Sequence, residues 1–302
     1  MLSPKPWKLE TCGRLLTALL ICTFAGATAS GLTRYDPAVA KAARWICGTL
    51  SGLSLACLLS ALTVVLGLWT EENFRHRALW LGVLAFAGLN LAVGAQHLSG
   101  AGAAARPTLA QIILSTLFFQ AAGLALVGWF LRQERETWAG AFGFRREPAL
   151  AVVKGLALSL LALPACWLLQ LGSVWCLRAL HWDAHQQSLV EMLRLVQGWP
   201  ARIYLGLATV VLAPVAEEVF FRGVFYGSLK QLGFPRLALW GSSAFFALIH
   251  LNVATFIPLL LLAAACAWLY DRTQNLLAPI ATHVTFNAAN LALLYLVQHF
   301  AP

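Results

Sequence analysis

Short charged connectors divide this chain into long apolar runs, and no other feature restricts its fold as much. Taking charges as boundaries gives runs near residues 15–32, 45–70, 78–98, 108–131, 149–175, 203–229, 237–250, 256–270 and 276–299. A helix needs about 20 mainly apolar residues to cross a bilayer. It also closes its backbone hydrogen bonds within its own segment, which lipid demands. The expected fold is therefore all-α, a polytopic transmembrane helical bundle with eight or nine membrane helices. The count turns on the seventh and eighth runs, which are short. Composition agrees, since 60% of the 302 residues are hydrophobic and 11% charged, against about a quarter charged in a soluble domain. Between such helices, packing of small residues and a few hydrogen bonds supply the cohesion.

The net charge of +9 does not point to nucleic acid, because the basic residues sit in connectors and form no stripe. There they set topology. Alternating sides from an inner N-terminus puts Lys5, Lys8, Arg14, Arg75, Arg77, Arg132, Arg135, Arg145, Arg146, Lys154, Arg222, Lys230, Arg236 and Arg272 inside, two-thirds of the 21 Lys and Arg. The expectation is an integral protein of a bacterial plasma (inner) membrane with a cytoplasmic N-terminus. Ala27-Thr28-Ala29 resembles a signal-peptide cleavage site, but the apolar run reaches Leu32 and favours a retained helix. Seven scattered Cys with no C-x-x-C read as small packing residues. Gln133–Pro148 is the main polar break, so residues 1–144 form an N-terminal helical region of unassigned role and 145–302 a second block. Leu177–Gly198 is amphipathic and suits either the interface or an outer loop.

Ionisable groups inside a bilayer cost several kcal/mol and tend to face cavities, pair up and mark function. Three clusters stand in the last third: E-E-x-x-x-R at Glu217, Glu218 and Arg222; F-x-x-x-H at Phe246 and His250; and H-x-x-x-N at His283 and Asn287. Helical residues four apart share a face, so Arg222 can hold Glu218 and His283 lies beside Asn287. Measured from the inner helix ends, Glu217 and His250 lie about 21 Å deep and His283 about 12 Å. The eighth run is too short to span, so His250–Ile257 is expected to be a turn buried within the protein. These groups can meet below the inner face.

A carboxylate beside an imidazole is suited to activating water, and His283 with Asn287 could donate to a developing oxyanion. Together they describe amide hydrolysis by water. Alternatively Glu217, His250 and His283 form a ligand set for a divalent metal, zinc foremost, that activates the water itself. Phe246 reads as packing, and Asn290 as a link between helices.

The three motifs, in this order and in successive membrane helices, resemble the CPBP family of CAAX proteases and bacteriocin-processing proteins. TQNLLAPIATHVTFN (Thr273–Asn287) resembles its third motif, and AFGFRRE (Ala141–Glu147) a connector upstream of its core. The resemblance covers roughly residues 145–300. It implies an intramembrane protease in which Glu217 activates water with His250. Arg222 supports Glu218, and His283 and Asn287 stabilise the oxyanion or, for His283, bind metal. Family members are described both as metalloproteases and as metal-independent glutamate proteases. The implied surroundings are membrane lipid and a membrane-proximal peptide or membrane-protein substrate. HExxH is absent, which excludes zincin geometry. A transporter would also bury such groups, but it would usually show internal repeats, and none is evident. A non-proteolytic membrane scaffold is the other alternative. A serine protease built on Gly241-Ser242-Ser243-Ala244 is weak, because Phe245 stands where an elbow would place glycine.

Overall fold

The computed structural model describes residues 116–182, 198–250 and 252–300, with a few helical positions nearer the N-terminus. Most of the run near 15–32, the runs near 45–70 and 78–98, the Ala27-Thr28-Ala29 stretch and residues 183–197 of the amphipathic segment lie outside the described residues. The chain divides into two compact units, one of residues 9–130 and one holding residues 131–302. The second unit thus takes in the whole polar connector at 133–148.

Every element among the described residues is helical. A π-helical turn, Thr116–Ala121, leads into α1 (Ala122–Gln133). The second unit continues with α2 (Trp138–Phe142), α3 (Pro148–Ala179), α4 (Trp199–Gln231), α5 (Pro235–Leu248), α6 (Val253–Thr273) and α7 (Leu277–Phe300). Four stretches are long and apolar enough to cross a membrane: α3, α4, α6 and Leu277–Val297 of α7. These make the protein an integral membrane protein. The expected eight or nine helices extend into chain outside the described residues. On α3, Leu160, Leu161, Leu168, Leu171 and Trp175 are all at least 67% exposed, a face suited to lipid and costly in water.

The sequence placed α6 too short to span, with a buried turn over His250–Ile257. The structure corrects both points, since α6 has 21 residues and begins at Val253. Asn252 caps it in an extended conformation, its side chain accepting from the Thr255 N–H at 3.1 Å, and such a cap stabilises a helix start by about 1 kcal/mol. Pro258 lies within the second turn without ending the helix.

α3 packs against both α6 and α7. Thr282 Oγ1 donates to Gly155 O, and Trp167 Nε1 donates to Asn290 Oδ1, so α3 and α7 run in the same direction. Gly155 allows the close approach. A Cβ there would lie 2.3 Å from Ala278 O and 2.8 Å from the Ala281 methyl. Further along, Ala162, Leu163 and Cys166 meet Leu262, Cys266 and Phe286 in a buried cluster. These small and medium side chains suit membrane packing, where close backbone approach replaces water-driven burial.

Candidate active site

α4 carries the acidic pair, and its winding is irregular around that pair. Ala208–Leu212 and Val219–Tyr226 are π-helical, while Ala213–Glu218 between them is α-helical. A π turn inserts an extra residue and is frequent at functional sites. Here it sets the face on which Glu217 and Glu218 emerge.

Glu218 is wholly buried, and its Oε1 accepts from Arg222 Nη1 at 3.0 Å and faces His283 Nδ1 at 2.8 Å. Arg222 is 2% exposed and also donates from Nη2 to Ala263 O of α6 at 3.1 Å. Its guanidinium lies 4.7 Å from the centre of the Phe246 ring. Buried charges are tolerated only when paired and hydrogen-bonded in this way. The expected contact between Glu218 and Arg222 is present, and His283 joins it from α7.

A carboxylate can only accept, so the proton of the His283–Glu218 bond belongs to His283 Nδ1. This leaves Nε2 on the other edge of the ring, 3.8 Å from Glu217 Oε2. That separation exceeds a direct hydrogen bond and suits contact through a water. The Glu217 side chain is 15% exposed and that of Glu218 is not exposed at all. Of the two carboxylates, only Glu217 can be reached.

His250 follows α5 and stands apart from the acidic pair. Its Nδ1 lies 2.7 Å from Phe246 O, and among the described residues no hydrogen bond or ion pair joins it to Glu217. The link runs instead through the Phe246 ring, whose centre is 4.8 Å from that of His250 and 5.8 Å from that of His283. Phe246 is fully buried and lies against both imidazoles. Asn287 faces away from His283 in its bonding, donating from Nδ2 to Thr209 O at 2.9 Å.

Glu217 and His283 converge, and both histidines direct Nδ1 to an oxygen acceptor, which leaves Nε2 free. Yet among the described residues no three His, Cys, Asp or Glu side chains are grouped closely enough to hold an ion. Of the set expected from Glu217, His250 and His283, the structure draws Glu217 and His283 together. Ser242 and Ser243 donate to Ala238 O and Leu239 O of their own helix, which leaves neither poised as a nucleophile.

One group of residues had a sequence signal whose meaning appears only in the fold. The AFGFRRE connector and the Thr-x-Asn-Leu stretch before α7 clamp each other. Asn275 is fully buried, donating from Nδ2 to Arg146 O at 2.6 Å and accepting from the Leu277 N–H at 2.9 Å, while the Leu276 N–H donates to Phe142 O. Gly143 adopts φ 74° with Gln274 O where a Cβ would be, 1.9 Å away. Phe142 then lies on Gly223, where a Cβ would come within 2.6 Å of its ring. The clamp thus fixes α4 one residue beyond Arg222.

Residues 199–289 match the family described as Type II CAAX prenyl endopeptidase Rce1-like. The UPF0177 protein YxdF of Lactococcus lactis is 28% identical over 78 residues, covering 26% of this chain and 42% of that protein. The chain therefore spans less than half the length of this curated relative. No solved structure matches it. The resemblance read from the motifs accordingly holds over residues 199–289, which carry all six candidate site residues and match the Rce1-like type II CAAX prenyl endopeptidase family.

Proposed function

We propose that the protein is an intramembrane endopeptidase that hydrolyses a peptide bond near the cytoplasmic membrane face. The observation that carries this reading is the buried series Arg222–Glu218–His283, with the accessible Glu217 carboxylate 3.8 Å from the free edge of His283. Glu217 takes a proton from a water, and the water oxygen attacks the peptide carbonyl carbon. The imidazole edge of His250 that is not bound to Phe246 O helps to hold that water. The second Nδ2 hydrogen of Asn287 donates to the oxyanion, and His283 joins it from Nε2 in the form that carries a proton on both ring nitrogens; preorganised donors contribute most at this position. When the C–N bond breaks, Glu217 returns the proton to the leaving amine.

From the matched family's name we carry over the endopeptidase reaction. The substrate class is a membrane-proximal peptide or a membrane protein, with membrane lipid around the helices and no nucleic acid. The basic residues support the orientation. Arg145 and Arg146 precede α3, Lys230 and Arg272 lie at the ends of α4 and α6, and Arg236 lies at the start of α5, whereas Arg178 and Arg202 lie at the opposite ends of α3 and α4. An excess of Lys and Arg marks the cytoplasmic side, in keeping with a bacterial plasma membrane and a cytoplasmic N-terminus.

The test is cleavage of membrane-proximal peptides by purified protein in lipid, compared with Glu217→Gln. Cleavage by the wild type alone supports the reading. Equal cleavage by both would exclude Glu217 as the base.

A further inference from the structure

Asn287 and Pro214 lie on different helices, 73 positions apart, and both bear on one backbone carbonyl, that of Thr209. In the π segment Ala208–Leu212, the Ala213 N–H reaches back five residues to Ala208 O. The next N–H in that register would come from residue 214 and would serve Thr209 O. Residue 214 is proline, which has no N–H. Thr209 O is thereby denied the donor that this register would bring to it, inside a span where a bare carbonyl is costly. Asn287 Nδ2 fills the gap at 2.9 Å from the neighbouring α7. The carbonyl also fixes the amide orientation, because only the NH₂ end can donate to it.

We infer that Asn287 is a positioning residue, which holds the proline-disrupted turn of α4 against α7 and so sets the direction in which Glu217 leaves the helix. Pro214 lies three positions before Glu217, and His283 lies one turn before Asn287 on the same face of α7. The bond from Asn287 to Thr209 and the bond from His283 to Glu218 are thus two rungs between the same pair of helices. Losing the first rung lets α4 rotate about the second and carries Glu217 away from His283 Nε2. This deepens the endopeptidase reading and rests on it for the catalytic consequence. The stability consequence stands without it.

The test is a double-mutant cycle between Asn287→Ala and Pro214→Ala, read by thermal unfolding in detergent and by kcat and KM for peptide cleavage. Pro214→Ala restores a backbone N–H that can serve Thr209 O. Asn287→Ala should lower both the unfolding midpoint and kcat, with KM little changed. In the Pro214→Ala background the loss in midpoint should shrink severalfold, and the loss in kcat should shrink with it to the part that the oxyanion contact accounts for. Asn287→Asp, which keeps the shape and removes the donor, should behave like Asn287→Ala. Equal losses in both backgrounds, or an unchanged midpoint in Asn287→Ala, would overturn the inference and leave Asn287 as an oxyanion donor alone. If no variant or wild type cleaves peptide, the unfolding arm still decides the coupling, and only the endopeptidase reading fails.

Discussion

At the scale of single residues, the account rests on two adjacent carboxylates with different surroundings. Glu218 is enclosed by Arg222 and His283, while Glu217 is open enough to meet a substrate. Glu217→Gln should therefore reduce kcat by about 10²–10⁴-fold, as loss of a general base does, with the unfolding midpoint unchanged. Arg222→Ala should act differently. It leaves a buried carboxylate without its strongest partner, and its expected cost is about 3–5 kcal/mol of stability, read as a large fall in midpoint or loss of folded protein. A metal measurement separates the two water-activation routes. Since Glu217 and His283 converge and no third His, Cys, Asp or Glu groups with them among the described residues, any ion found in the wild type by elemental analysis should be lost in Glu217→Gln and kept in His250→Ala. Loss in His250→Ala would mean that three donors gather after all. The spacing of Glu218 and Arg222 made their contact legible, because four residues is one helical turn. The bond from His283 to Glu218 was not, since both residues had other candidate partners and only the rotation of α7 against α4 selects one.

At the scale of elements, the site depends on close approaches that glycine permits. Gly223→Ala places a methyl where the Phe142 ring lies, and overpacking of this kind costs about 1–3 kcal/mol. A partial recovery of the midpoint in Gly223→Ala with Phe142→Leu would trace the cost to that contact. No recovery would show that the clamp does not bear on α4. The elements were unevenly legible. α3 and α7 were visible as apolar runs with basic residues before or after them. α6 was read too short, because its apolar run was taken from residue 256 and His250–Ile257, which holds Asn252, was read as a turn. The π-helical winding of α4 left only Pro214 as a trace, since no periodicity in Ala208–Tyr226 distinguishes it from an α-helix.

At the scale of the whole molecule, the second unit is a set of apolar helices whose polar groups are turned inward and paired, as lipid requires. Its basic end, with Arg145, Arg146, Lys230, Arg236 and Arg272, should face the cytoplasm. Single cysteines at Arg145 and Arg236, introduced into a chain cleared of its native Cys, should resist a membrane-impermeant thiol reagent in intact cells and react after lysis. Labelling in intact cells would invert the topology. The general architecture was legible because charge spacing alone sets helix ends, but which three helices converge was decided by Gly155, Asn275 and Phe142, whose partners lie far along the chain. The most direct measurement for the central claim is cleavage of a quenched membrane-proximal peptide by the purified protein in lipid, wild type beside Glu217→Gln. The account predicts cleavage by the wild type and its loss in Glu217→Gln at an unchanged unfolding midpoint. Undiminished cleavage by a folded Glu217→Gln protein would contradict it.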